Sequence, residues 1–160
     1  MTPNIQEWIR QRIQPNPGLV LEIGSLNING GVKQYFNVES YIGIDIQAGP
    51  GVDRILNGHD INKVWPENTF DTVICLETLE HDSEFWTTVA NIRTVLKSNG
   101  YLYLSMPTIG FPFHYPPDYW RFTEMGLKNL FRMADCEIIE VATLKDTADY
   151  DCVIGYGVKR

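Results

Sequence analysis

Leu19-Val-Leu-Glu22-Ile-Gly24 is a short apolar run that ends in a carboxylate and a glycine, and Tyr41-Ile-Gly-Ile-Asp45 repeats the pattern further along. Apolar runs of this length read as strands buried on both faces, the habit of a parallel sheet. An acid at the carboxyl end of such a strand can accept hydrogen bonds from ribose hydroxyls or an amine, and a neighbouring glycine lets a ligand approach the backbone. A turn ending in Gly30-Gly31 follows the first strand. The two stretches together describe a pocket for a nucleoside-type ligand.

Outward from these strands, strand and helix signals alternate, which predicts a parallel sheet covered on both faces. A helix over 4–14 puts Ile5, Trp8, Ile9 and Ile13 on one face, and Pro15-Asn-Pro-Gly18 stops it before a strand at 19–23. A short helix is expected around Gly31–Phe36, a second strand at 41–46, a brief strand near Val52–Leu56 and one helical turn over Ile61–Trp65. Phe70-Asp-Thr-Val-Ile-Cys-Leu-Glu77 reads as a central strand, and Asp82 or Ser83 can cap a helix running to Lys97, closed by Asn99-Gly100. Tyr101–Met106 is a fifth strand, and a helix over Thr123–Met133 follows a connection rich in proline and aromatics. Two last strands, 136–145 and 151–159, flank Asp146-Thr-Ala-Asp149 and are close enough only for an antiparallel hairpin. The fold class is therefore α/β: three layers, Rossmann-like, with a mostly parallel sheet of about seven strands that ends in an antiparallel hairpin strand. A dinucleotide fold of the dehydrogenase kind would end with another parallel strand and crossover helix.

The 160 residues suit one domain, 1–160, with a ligand-binding half at 19–80 and a second half at 81–160. No apolar run approaches the roughly 18 residues of a membrane span. The N-terminus lacks the basic start and apolar stretch of a secretory signal, so a cytoplasmic setting is expected. Net charge is −7, from 13 Lys and Arg against 20 Asp and Glu, and no basic patch offsets it, which argues against bulk nucleic acid. Cys75, Cys136 and Cys152 lie in apolar segments without metal-ligand or redox spacing, and read as buried thiols; no metal is expected.

Four motifs in order now carry a resemblance: Leu-Glu-Ile-Gly at 21–24, Ile-Gly-Ile-Asp at 42–45, His-Asp-Ile at 59–61 and Phe-Asp-Thr-Val-Ile-Cys-Leu-Glu-Thr-Leu-Glu-His at 70–81. Over roughly residues 17–135 the chain resembles the class I S-adenosylmethionine-dependent methyltransferases, in particular small methyltransferase type 11 domains. The resemblance implies that S-adenosylmethionine is the cofactor and that a methyl group goes to a small-molecule acceptor by in-line displacement. It implies that Glu22 helps hold the methionine amine, with Gly24 and Ser25 offering backbone to the ribose and carboxylate. Asp45 would take both ribose hydroxyls, a task for a group that accepts two hydrogen bonds with no competing donor. Asp60 would accept from the adenine amine, with Ile61 against the ring. Leu76 and Glu77 would lie near the methionyl amine and the reacting face. Asn29 and Ile46, beside the glycine loop and the ribose acid, complete the cofactor set.

The loop itself departs from the family: Gly24-Ser-Leu-Asn-Ile-Asn-Gly30 has Leu26 where many relatives have a second glycine, and Asn27 or Asn29 is a candidate for a left-handed conformation there. The loop also lacks the G-x-G-x-x-G that a pyrophosphate needs, which weakens an NAD-type oxidoreductase. A non-catalytic cofactor-binding module is the third reading, since the chain leaves little beyond the bare fold for a substrate lid. A homodimer covering the open substrate face would supply one.

His81 follows the fourth strand and is the candidate general base, although such a histidine often only orients a loop. His114, Tyr115, Asp118, Tyr119, Trp120 and Arg121, in the stretch Phe113–Thr123, are the substrate-side candidates. The plainer reading packs this segment onto the sheet, with Asp118 and Arg121 paired.

Overall fold

The computed structural model describes residues 1–36, 40–114, 117–145 and 151–160. Its strands are β1 (Val20–Ile23), β2 (Tyr41–Asp45), β3 (Arg54–Ile55), β4 (Phe70–Leu76), β5 (Leu96–Pro107), β6 (Cys136–Lys145) and β7 (Asp151–Lys159). Its helices are α1 (Pro3–Arg10), α2 (Ile61–Val64), α3 (Phe85–Val95) and α4 (Glu124–Met133). The seven strands form one sheet in the order β3-β2-β1-β4-β5-β7-β6. β7 runs antiparallel to both β5 and β6, and the other pairs are parallel. This is the expected mixed sheet, closed by the reversed strand; the residues joining β6 to β7 lie outside those described.

The alternation of side chains along each strand divides the core in two. Leu21 and Ile23 of β1, with Val73 and Cys75 of β4, face α3 and α4 through Val89, Ile92, Leu127 and Phe131. Val20, Ile74 and Tyr103 face the other way, against Ile5, Trp8 and Ile9 of α1 and the buried Val32 and Phe36. Cys75, Cys136 and Cys152 are all buried. Among the described residues no helix is long and apolar enough to cross a membrane.

Several element boundaries differ from expectation, those of α1 and α3 for a tertiary reason. α1 stops at Arg10, because Arg12 leaves the helix to grip Glu140 of β6 with two hydrogen bonds, at 2.8 and 2.7 Å. The segment around Gly31–Phe36 forms only a 3-10 turn at Lys33–Tyr35. α3 begins at Phe85, beyond Asp82 and Ser83, since the Asp82 carboxylate is shared between the Glu84 amide, Thr88 and His59. It ends at Val95 because Leu96 is recruited to pair with Phe70. Asn99-Gly100 then lies in a bulge of β5, where Asn99 takes φ +63. α4 begins as its sequence predicts, with Thr123 Oγ1 accepting from the Gly126 amide at 3.0 Å.

Candidate active site

The carboxyl ends of β1, β2 and β4 open into a cleft of about 560 Å³, a size that suits a cofactor or small ligand. It forms where the chain order in the sheet reverses, with β1 at the centre and β2 and β4 on either side. Glu22, Gly24, Ser25, Asn29, Asp45, Ile46, Leu76, Glu77, His81, His114 and Tyr119 all line it. Residues from four separate stretches of sequence are thus brought together.

Glu22 is buried on β1, between Gly43 of β2 and Ile74 of β4 in register, with Tyr41 Oη donating to its Oε2 at 2.8 Å. Burial pushes its carboxyl up to about 7, and the Tyr41 hydrogen bond opposes that rise. Asp45 stands at the end of the neighbouring strand β2. Its Oδ1 accepts from the Gln47 amide at 3.0 Å and its Oδ2 from the Leu26 amide at 3.3 Å, which aims the carboxylate into the cleft. Ser25 Oγ is buried in the same wall and accepts or donates no hydrogen bond among the described residues. An orphaned hydroxyl there fits a site built to receive a polar ligand.

The glycine loop solves the Leu26 problem without strain at that residue. Gly24 and Gly30 take the positive φ angles, +78 and +107, and neither Asn27 nor Asn29 does. A Cβ on Gly24 would lie 2.0 Å from Thr78 Oγ1, so this glycine makes room for the chain after β4 and not for a ligand. The Leu26 side chain instead packs over Gly49, where a Cβ would meet its Cδ1 at 2.3 Å. The Gly24 and Ser25 amides both donate to the Ile44 carbonyl, at 2.9 and 3.0 Å, so neither is open to a ribose or carboxylate. What these residues present to the cleft is the rest of their backbone and the Ser25 hydroxyl.

Asp60 and Ile61 do not line the cleft. Asp60 turns outward to Lys63 Nζ at 2.6 Å, and Ile61 is fully buried in the core. Leu56, Asn57, Gly58 and His59 occupy that wall instead. Asn57 caps the turn by accepting from the His59 amide, and Asn91 of α3 holds the Gly58 and His59 carbonyls. His59 Nε2 lies 2.8 Å from Asp82 Oδ1. No spacing in the sequence announces this pair, since its members come from two loops that only the fold joins.

At the end of β4, Glu77 adopts φ +50, uncommon for a residue with a side chain. Its Oε1 accepts from Ser105 Oγ of β5 at 2.8 Å, and its amide donates to the Ser105 carbonyl. The strained backbone thus turns the chain into the cleft wall.

The substrate-side stretch divides. His114 and Tyr119 line the cleft; Trp120, Asp118 and Arg121 do not. Arg121 donates to both Asp118 oxygens and to the carbonyls of Phe111, Pro112 and Trp120, stapling the loop. That pairing holds the Asp118 carboxyl well below the usual range. Trp120 Nε1 donates to the Asp82 carbonyl, and its ring packs edge-on against Phe85. Tyr115 lies outside the described residues. His81 turns Nδ1 to the Pro117 carbonyl and stacks edge-on with His114, ring centres 4.9 Å apart. Beneath the two rings lies Glu80, fully buried; the burial, with Glu77 nearby, raises its carboxyl well above its ordinary value. Burial pulls the His114 imidazole down. Sequence reasoning assigned Glu80 no role, and nothing in the run Leu79-Glu80-His81 tells its burial in advance.

A family model described as a methyltransferase domain matches residues 29–104, beginning near the end of the atypical loop that contains Leu26. A search of curated proteins gives no match by sequence. Among solved structures, the YcgJ protein of Bacillus subtilis aligns with TM-score 0.77 at 14% identity, covering 98% of either chain. A Burkholderia thailandensis 1,6-didemethyltoxoflavin-N1-methyltransferase, solved with 1,6-didemethyltoxoflavin and S-adenosylhomocysteine, aligns with TM-score 0.78 at 17% identity, over 98% of this chain and 77% of that one. A SAM-dependent methyltransferase from Archaeoglobus fulgidus gives 0.72 at 14% identity, over 98% and 93%. At such identities the structures speak for the fold, and the family model speaks for the domain. Residues 29–104 thus match a methyltransferase domain, and the chain as a whole has the fold of S-adenosylmethionine-dependent methyltransferases.

Proposed function

We propose that this chain binds S-adenosylmethionine in the cleft and transfers its methyl group to a small-molecule acceptor. The observation that carries the reading is the pair of carboxylates, Glu22 and Asp45, at the carboxyl ends of neighbouring strands and lining one cleft. The bound cofactor supplies an electrophilic methyl on a sulfonium. The chain's own work is to hold and to exclude water. Asp45, fixed by the Leu26 and Gln47 amides, accepts from the ribose hydroxyls. Glu22, once ionised, accepts from the amine, directly or through water. The wall at Leu56–His59 takes the base, in place of the Asp60 side chain.

His81, His114 and Tyr119 face the acceptor and set its approach to the methyl carbon opposite sulfur. Orientation of this kind supplies most of the acceleration. The acidic cleft favours the positive sulfonium while it binds, and its charge is lost during reaction, so exclusion of water helps the step. Net charge −7, which repels bulk nucleic acid, argues against that acceptor. A cytoplasmic setting is inferred with it, three buried cysteines being in no disulfide.

The test is to incubate the full chain with methyl-labelled S-adenosylmethionine and a panel of hydroxyl, amine and carboxylate acceptors, following S-adenosylhomocysteine and label in product. Release of S-adenosylhomocysteine that depends on one acceptor class is expected. Tight cofactor binding with no turnover on any class would favour a cofactor-binding module.

A further inference from the structure

Glu80 is fully buried, and neither of its carboxylate oxygens takes a hydrogen bond among the described residues. Asp118, the neighbouring covered carboxylate, is by contrast fully engaged, with Arg121 and with His114. A buried carboxylate without partners is costly, several kcal/mol by order of magnitude, unless something else compensates it.

Two imidazoles surround it. His81 Nε2 lies 3.6 Å from Glu80 Oε1, and His114 Nε2 lies 4.0 Å from the same atom. In each ring the other nitrogen faces an acceptor: His81 Nδ1 the Pro117 carbonyl, and His114 Nδ1 the Asp118 carboxylate at 3.1 Å. An Nδ1 that donates leaves Nε2 as the lone-pair nitrogen of a neutral imidazole. Two ring nitrogens therefore converge on one buried carboxyl group; a proton on Glu80 satisfies them in the absence of an ion, and a metal cation that displaces this proton gains three ligands at once. A ring whose far nitrogen is held by a carbonyl or a carboxylate is also the usual outer support of a metal-bound histidine.

We propose that Glu80, His81 and His114 bind a divalent transition-metal ion whose remaining coordination position opens to the cleft. Their ligand atoms lie within 4.8 Å of one another. Ligands on a tetrahedral zinc ion stand about 3.3 Å apart, so ring rotations of roughly an ångström close the set. One carboxylate and two imidazoles suit zinc, iron or manganese better than magnesium or calcium. Glu77 and Asp118 add negative charge around Glu80, which Arg121 opposes in part. His81 and His114 line the cleft while Glu80 lies behind them, so the open position faces the acceptor side. An acceptor bearing a hydroxyl or carboxylate oxygen would complete the coordination there; this last step rests on the methyl-transfer reading, and the ion site does not.

The full chain, stripped with chelator and desalted, is titrated with Zn2+ and with Co2+, following heat, bound metal and the visible absorption of cobalt. One ion per chain is expected, with a cobalt spectrum of nitrogen and oxygen ligation. Glu80→Gln and His114→Ala should each weaken binding by about 100-fold or more, a loss at least as large as that from removing an outer support. Far-UV circular dichroism and thermal unfolding of both variants report on a folded chain. No stoichiometric ion in the wild type, or unchanged affinity in both variants, would overturn the site. Loss of S-adenosylhomocysteine binding in the wild type with the ion retained would count against the methyl-transfer reading alone.

Discussion

Glu22 is a buried acid asked to do two incompatible things, to pack and to carry charge. Its carboxyl, ordinarily near 4.5, is pushed up to about 7 chiefly by burial. Between those values the folded protein keeps a proton that the unfolded chain has released. Stability is therefore highest below pH 4.5, falls as pH rises towards 7 and is level above, a loss of about 3 kcal/mol from this one group. Glu22→Gln keeps an acceptor for Tyr41 and removes that dependence. Urea midpoints should coincide with wild type near pH 4.5, and at pH 8 the variant should be the more stable. The same proton competes with the cofactor amine. S-adenosylhomocysteine affinity in the wild type should fall about tenfold per pH unit below 7, and this fall should vanish in Glu22→Gln, at weaker affinity throughout.

At the scale of elements, the turn after β1 and the cap of α4 give separable predictions. Gly24→Ala meets both a left-handed backbone and the Thr78 hydroxyl. It should cost about 2 kcal/mol or more of unfolding free energy. Adding Thr78→Ala should return the steric part and not the backbone part, so the two changes will not sum. Thr123→Ala removes the acceptor for the Gly126 amide and should cost about 1 kcal/mol, with no effect on cofactor binding. Thermal or urea unfolding reads all three variants.

These elements also mark what the sequence makes legible. The bounds of β6 and β7 are legible because turn residues flank strong strand patterns, and the start of α4 is legible to within one residue because its Thr123 cap acts locally. The end of α3 is not, because Leu96 answers to a strand partner distant in sequence and the Asn99-Gly100 signal is absorbed into a bulge. The site follows the same division. Glu22 and Asp45 are legible as cleft-lining residues because each stands at the carboxyl end of a buried strand. Asp60 misled because one residue of phase in a short turn decides which side chain meets the cleft. The partners that assemble around Glu80 come from the turn after β4 and from the loop after β5, which no local pattern connects.

For the whole molecule, the sheet order fixes where chemistry can happen. Strands β2 and β4 leave β1 on opposite sides, so their following loops part above it and leave the cleft. The reversed β7 between β5 and β6 closes the far edge and adds no second nucleotide half. The chain is acidic, and duplex DNA or RNA should not retard it in a gel at about 0.1 M salt, where screening leaves the local repulsion in place. The central claim is that the cleft holds S-adenosylmethionine through Asp45. Calorimetric titration of the wild type and of Asp45→Ala with S-adenosylhomocysteine, and of the wild type with NAD, tests it most directly. One equivalent of S-adenosylhomocysteine should bind the wild type and about 100-fold more weakly the variant, two charge-assisted hydrogen bonds being lost, with no heat from NAD. Binding of NAD alone, or equal affinity for S-adenosylhomocysteine in both proteins, would contradict the account.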